Sequence, residues 1–247
     1  MGWLFWAGAA VLAVVAIARL ARRRSRQREL MLLCHRAGVS FVPIDPFPDT
    51  LWLPFGWLGL GRWIAAENVV WNEADGEAAR AFDLITEERP AGEEAQPTQH
   101  RFTCASVALP FGCPRLQIEP RDALDGVIDV LTGEDIALEL EAFNRRFHVR
   151  GIDRRFAVAF CDQMMMQALL ALPSGVSIAV NEDRMLLRSA TLPPAQVLLL
   201  LEAARAIARR VPPVVASLYP PRPTKGPHED RWLQGHWSAE PIGEGEA

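Results

Sequence analysis

The residues with chemistry to offer crowd together late in the chain. Glu139, Glu141 and Asp153 lie there with Arg145, Arg146, Arg154, Arg155 and His148. A carboxylate and an imidazole sharing one cleft make an acid–base pair. Guanidinium groups bind carboxylates or phosphates through paired hydrogen bonds. The same charges also make ordinary surface ion pairs at a strand–helix corner, which contribute little. Dense charge beside apolar neighbours marks Asn144, Arg145, Arg146 and Asp153 as a candidate interaction surface, with no catalytic residue assigned.

Elsewhere the chemistry is sparse. Ser106, Ser174, Ser177 and Ser189 lack the G-x-S-x-G setting of a nucleophile elbow. Gly59-Leu60-Gly61 has no third glycine for a dinucleotide loop, and the one lysine, Lys225, sits near the C-terminus, outside any Walker A pattern. His35, His100, His148, His228 and His236 include no H-E-x-x-H pair. His228 and His236 with Glu229 and Asp230 are the loosest of metal candidates, on a tail that offers no preorganisation. Cys34, Cys104, Cys113 and Cys161 have no C-x-x-C spacing and read as reduced thiols, a Cys104–Cys113 bridge being the alternative. No metal and no cofactor is expected.

The net charge of −4 conceals an asymmetry. Residues 1–28 hold six arginines and no acid, so the rest of the chain carries 20 basic residues against 30 acidic ones, a charge of −10. A body so acidic is a poor match for nucleic-acid phosphates.

Those six arginines follow an apolar run, GWLFWAGAAVLAVVAIA, over residues 2–18. As a helix this run is about 25 Å long and nears the hydrocarbon thickness once Leu20 is included with Arg19 snorkelling. A cleavable signal would need a basic segment ahead of the run, and an interfacial helix would need a polar face. Residues 1–20 are therefore expected to span a membrane, with Trp3 and Trp6 in the aromatic belt. Arg22, Arg23 and Arg24 would sit at the cytoplasmic headgroups. That places the N-terminus outside and the remaining domain in the cytoplasm, with the lipid bilayer as a first partner.

Beyond the anchor, residues 21–37 form an Arg-rich helix stopped at Gly38, and 38–211 an α+β domain. Strands are expected at VSFVPI, on both sides of Asp75-Gly76, at HRFTCASVAL, at RLQIEP and at FNRRFHVRG. One helix is expected from Asp153 through the methionines at 164–166, then a hairpin about residues 181–183. A helix starting at Pro193 or Pro194 follows. The result is a mixed, mainly antiparallel sheet covered by two helices. The segment 46–63, with Trp52, Phe55, Trp57 and Trp63, is a loop either pinned over the core or dipping into the bilayer interface. Residues 212–247 are Pro-rich, end acidic and read as a disordered tail.

F-N-R-R-F-H-V at 143–149, D-R-R-F-A at 153–157 and M-M-x-x-L-L at 165–170 carry a resemblance, with Ala81-Phe82-Asp83 and H-R-F-T at 100–103. Over roughly residues 1–211 the chain resembles an uncharacterised family of bacterial, mostly actinobacterial, single-pass membrane proteins with one domain of unknown function. Members are expected to have a more basic 46–63 loop. The resemblance implies topology and no reaction. Two functions remain open: a non-enzymatic tethered module that binds a protein partner or the membrane face, or a membrane-bound enzyme with a site near residues 143–155.

Overall fold

Helix α1 runs unbroken over Gly2–Ala37. Gly38 ends it with a positive φ of 68°, and Val39 N–H donates to the Cys34 carbonyl at 3.0 Å. The computed structural model describes residues 2–72, 79–89, 96–121 and 135–221, without the side chains of residues 2–5, 7–9, 11 and 12. Much of the expected 1–20 span, Trp3 included, thus lies outside the described side chains. Among the described residues no helix is long and apolar enough to cross a membrane. The transmembrane part of the expectation has no support there, whereas the α+β part stands.

Among the described residues six strands form the sheet: β1 Ser40–Ile44, β2 Arg62–Trp71, β3 Ala79–Glu88, β4 Thr98–Pro120, β5 Phe147–Gly151 and β6 Ser177–Ala190. All the recorded pairings are antiparallel. β4 is the hub. Its first half pairs with β3, its end pairs with β5, and β6 runs along its other side. β2 and β3 are the two runs expected about Asp75-Gly76, a turn that itself lies outside the described residues.

Four expectations need correction. HRFTCASVAL and RLQIEP are one strand, because Pro110 and Pro114 sit where the β4–β6 ladder lapses between Ala108 and Leu116. A proline with no N–H is tolerated at such a gap, and Gly112 N–H is satisfied by the Tyr219 and Pro220 carbonyls. Residues 181–183 are not a hairpin turn. Glu182, at φ 53°, opposes Cys113 as an irregularity within β6. Residues 143–146 belong to a short helix, α2 Glu141–Arg146, ahead of β5. The helix expected from Asp153 divides into α3 Arg154–Phe160 and α4 Gln163–Leu170, since Asp162 caps a new start by accepting from Met165 N–H at 2.7 Å.

Helix α5, Pro194–Arg209, begins with proline as expected and lies beside α1 over β3 and β4. The folded region passes 211, because Pro213–Leu218 forms α6 and Tyr219 is tied to Asp153. Residues 222–247, with His228 and His236, lie outside the described residues. The sheet is therefore covered by more than two helices on one face and by the 46–63 segment on the other.

Each face has its own core. On the helical side Leu30 and Cys34 of α1 meet Val70, Ala81, Ala105 and Val197. On the other, Leu53, Phe55, Leu58 and Leu60 meet Phe82, Leu84, Cys104 and Leu186. The Trp-rich segment thus covers a sheet face that would otherwise be wet. Trp57 Nε1 and Asn181 Nδ2 both donate to the Pro54 carbonyl, at 2.9 and 2.8 Å. Trp52 is 64% exposed.

Candidate functional site

Helix α1 is bolted to the sheet through charge. Arg19, Arg22, Arg23 and Arg26 are spaced i, i+3, i+4, i+7 and share one helix face. Arg26 makes a two-pronged contact with Asp83, Nε to Oδ2 and Nη2 to Oδ1 both at 2.8 Å, and its Nη1 donates to the Leu192 carbonyl. Asp83 is 1% exposed and accepts also from Asn68 Nδ2 at 2.7 Å and Thr103 Oγ1 at 3.1 Å. The Thr103 oxygen in turn accepts from Leu192 N–H at 3.0 Å. Every lone pair of a buried carboxylate is thereby engaged, the condition under which burying its charge is tolerated.

A second carboxylate extends the bolt. Glu67 takes Arg23 at 2.6 Å and Arg101 at 3.3 Å. Asn68 follows it at φ 55°, in the irregular stretch of the β2–β3 register between Glu67 and Val70. Asparagine visits this left-handed region readily. Arg22 stays exposed, and Arg24 lies with Arg28 in a shallow groove on another face of α1. Trp6 is 73% exposed.

At the 143–155 corner, the four residues marked in the sequence do not converge. Asn144 exchanges hydrogen bonds with Leu138, Nδ2 to its carbonyl at 2.7 Å and Oδ1 from its N–H at 3.0 Å. Arg146 donates to the Leu170 and Leu172 carbonyls, capping the end of α4, and lies over the Phe147 ring. Arg145 is exposed and pairs with Glu141 at 3.2 Å. Asp153 caps α3 through Phe156 N–H at 3.1 Å and accepts from Tyr219 Oη at 2.8 Å. That phenol, with the helix cap, holds the Asp153 carboxyl below the usual carboxylate range. Burial and the same bond push the Tyr219 hydroxyl up to about 12.

His148 belongs to a separate cluster. Its Nδ1 is 2.8 Å from Asp135 Oδ2, and Arg121 Nη2 donates to the same oxygen at 2.9 Å. Burial alone raises the Asp135 carboxyl, but the Val149 N–H, His148 and Arg121 outweigh it and hold it low. Among the described residues, no three of His, Cys, Asp and Glu are placed to hold a metal. The four cysteines are free and buried, and burial raises all four thiols, Cys104, Cys113 and Cys161 to about 12. Thiols held in the protonated form are poor nucleophiles.

Sequence reasoning attributed Arg23 to headgroups, gave Arg26 no partner and passed over Glu67 and Asp83. One signal was present. Asp83 interrupts the apolar run of β3, and a lone acid inside a buried strand requires a cation from elsewhere.

The fold and this junction define an α+β domain carried on a long N-terminal helix that is part of its own core. No family model matches the chain, and no curated protein matches it. Among solved structures it is similar to the crystal structure of the mycobacterial trehalose monomycolate transport factor A, TtfA, with a TM-score of 0.55 and 17% identity, over 81% of this chain and 99% of that one. At that identity the likeness is one of fold.

Proposed function

We propose that this chain is a single-pass membrane-anchored accessory factor, N-terminus outside and domain in the cytoplasm. In this reading the domain works by binding a protein partner in or at the same bilayer, without catalysis. The observation that carries the reading is the continuity of α1. The helix that begins with the apolar run continues to Ala37, where Leu30 and Cys34 are buried in the domain core. Arg26 and Asp83 lock it. A flexible tether needs no such bolt, whereas a domain held in one orientation above a membrane does. The likeness to a protein titled a transport factor favours an accessory role, as does the resemblance to single-pass actinobacterial proteins.

In this reading the partner docks at the 143–155 corner, where Arg145 is exposed and Ile152 is 67% exposed, with Val158 of the adjoining α3 50% exposed. Exposed apolar side chains on a segment rich in arginine are what a protein surface of moderate size offers a partner. Cell fractionation tests the anchor: the full chain pellets with membranes and needs detergent to leave them. A reporter fused at Ala247 tests the topology and is active only in the cytoplasm. Cross-linking in intact cells then compares the wild type with R145E/I152E, which loses a discrete adduct. Adducts unchanged by the double substitution count against this surface.

The enzyme reading keeps one observation, the His148–Asp135 contact at 2.8 Å, although Arg121 Nη1 lies 3.2 Å from the other ring nitrogen, where a general base would take its proton. Equal cellular function of H148Q and wild type counts against it.

A further inference from the structure

Between α1 and the sheet lies an open cleft of about 440 Å³, lined by Arg19, Arg22, Arg23, Arg26, Arg101 and Asn68. Glu67 and Asp83 pair with Arg23, Arg26 and Arg101, and their two negative charges leave three of the five positive charges in excess. Among the described residues, Arg19 and Arg22 have no ion-pair partner. Asn68 is 1% exposed, and among the described residues its Oδ1 accepts from nothing. A buried acceptor left without a donor is costly. The cleft therefore offers guanidinium forks to an anion and one carbonyl oxygen to a hydroxyl beside it.

We propose that this cleft binds one phospholipid headgroup, a phosphodiester bearing a hydroxylated alcohol, with the phosphate on Arg19 and Arg22 and a hydroxyl on Asn68 Oδ1. The inference rests on the anchored reading, which places Arg19 and Leu20 at the edge of the apolar run, where headgroups lie. A lipid phosphate held there is continuous with the bilayer, whereas free phosphate must compete with water. A choline headgroup is the mismatch, because it carries a compensating cation and no hydroxyl.

The test uses the full chain in detergent, titrated with phosphatidylglycerol, phosphatidylcholine or inorganic phosphate and read by native mass spectrometry. One phosphatidylglycerol binds at lower concentration than any phosphatidylcholine. R19Q/R22Q weakens that first event roughly thirty-fold. R24Q/R28Q removes the same charge from another helix face and leaves it within about threefold. Equal losses in the two double variants, equal binding of the two lipids, or displacement by inorganic phosphate each overturn the proposal. A chain that pellets with membranes yet fails this comparison lacks the site and keeps the anchor. A chain found soluble without detergent loses the anchor first.

Discussion

Removing the Asp83 carboxylate tests the bolt between α1 and the sheet. In D83A, Arg26 loses both of its 2.8 Å contacts, and Asn68 Nδ2 and Thr103 Oγ1 lose their acceptor. Breaking one side of a buried ion pair costs about 3–5 kcal/mol. The Arg26 side chain is 16% exposed and keeps the Leu192 carbonyl, so water and that oxygen soften the loss. The lower end applies, about 3 kcal/mol, or a fall in Tm of roughly 6–12 °C for a domain of this size. R26M/D83L removes both charges together and costs less than D83A, about 2 kcal/mol, because apolar groups replace the buried pair while Asn68 Nδ2 and Thr103 Oγ1 still lose their acceptor. Thermal unfolding of the full chain in detergent, followed by tryptophan fluorescence, measures the shifts. Hydrogen exchange then asks whether residues 26–37 open first. A D83A shift below about 2 °C, or losses in R26M and D83L that simply add in the double, would refute the claim that this pair holds the helix.

The remaining expectations concern loops, caps and pH. G61A places a Cβ 2.5 Å from the Glu87 carbonyl oxygen at φ 78° and costs at least about 2 kcal/mol, while G38A, at φ 68° with open space, costs about 1; paired urea titrations compare them. F55A, emptying a fully buried site, costs about 3–5 kcal/mol, whereas W52S, at an exposed residue, stays within about 0.5 by the same assay. Asp135 and Asp153 both have lowered carboxyls. Their contribution is complete above the ordinary aspartate value of about 3.9 and is lost as pH falls through the lower folded-state values. Y219F removes the bond that does most to lower Asp153, so carboxyl NMR finds that titration displaced upward. D135N shows a shallower acid limb of unfolding than the wild type.

Local signals were readable wherever the cause lay within a few residues. Gly38 stops α1, proline opens α5, and Asp153 caps α3, because a φ preference or a side-chain oxygen acts on its immediate neighbours. The two strands about Asp75-Gly76 were visible for the same reason. The joining of β4 across Pro110 and Pro114, and of β6 across Glu182, was hidden. Residues that punctuate a turn were here absorbed as irregularities by strands distant in the chain. The candidate site was hidden more completely. Its arginines stood out as a cluster and Asp83 as an oddity, but nothing in either segment links Arg26 to a carboxylate 57 positions away. Composition and periodicity determine which residues seek burial or water. Which cation meets which buried acid depends on how α1 crosses the sheet, and long-range packing decides that.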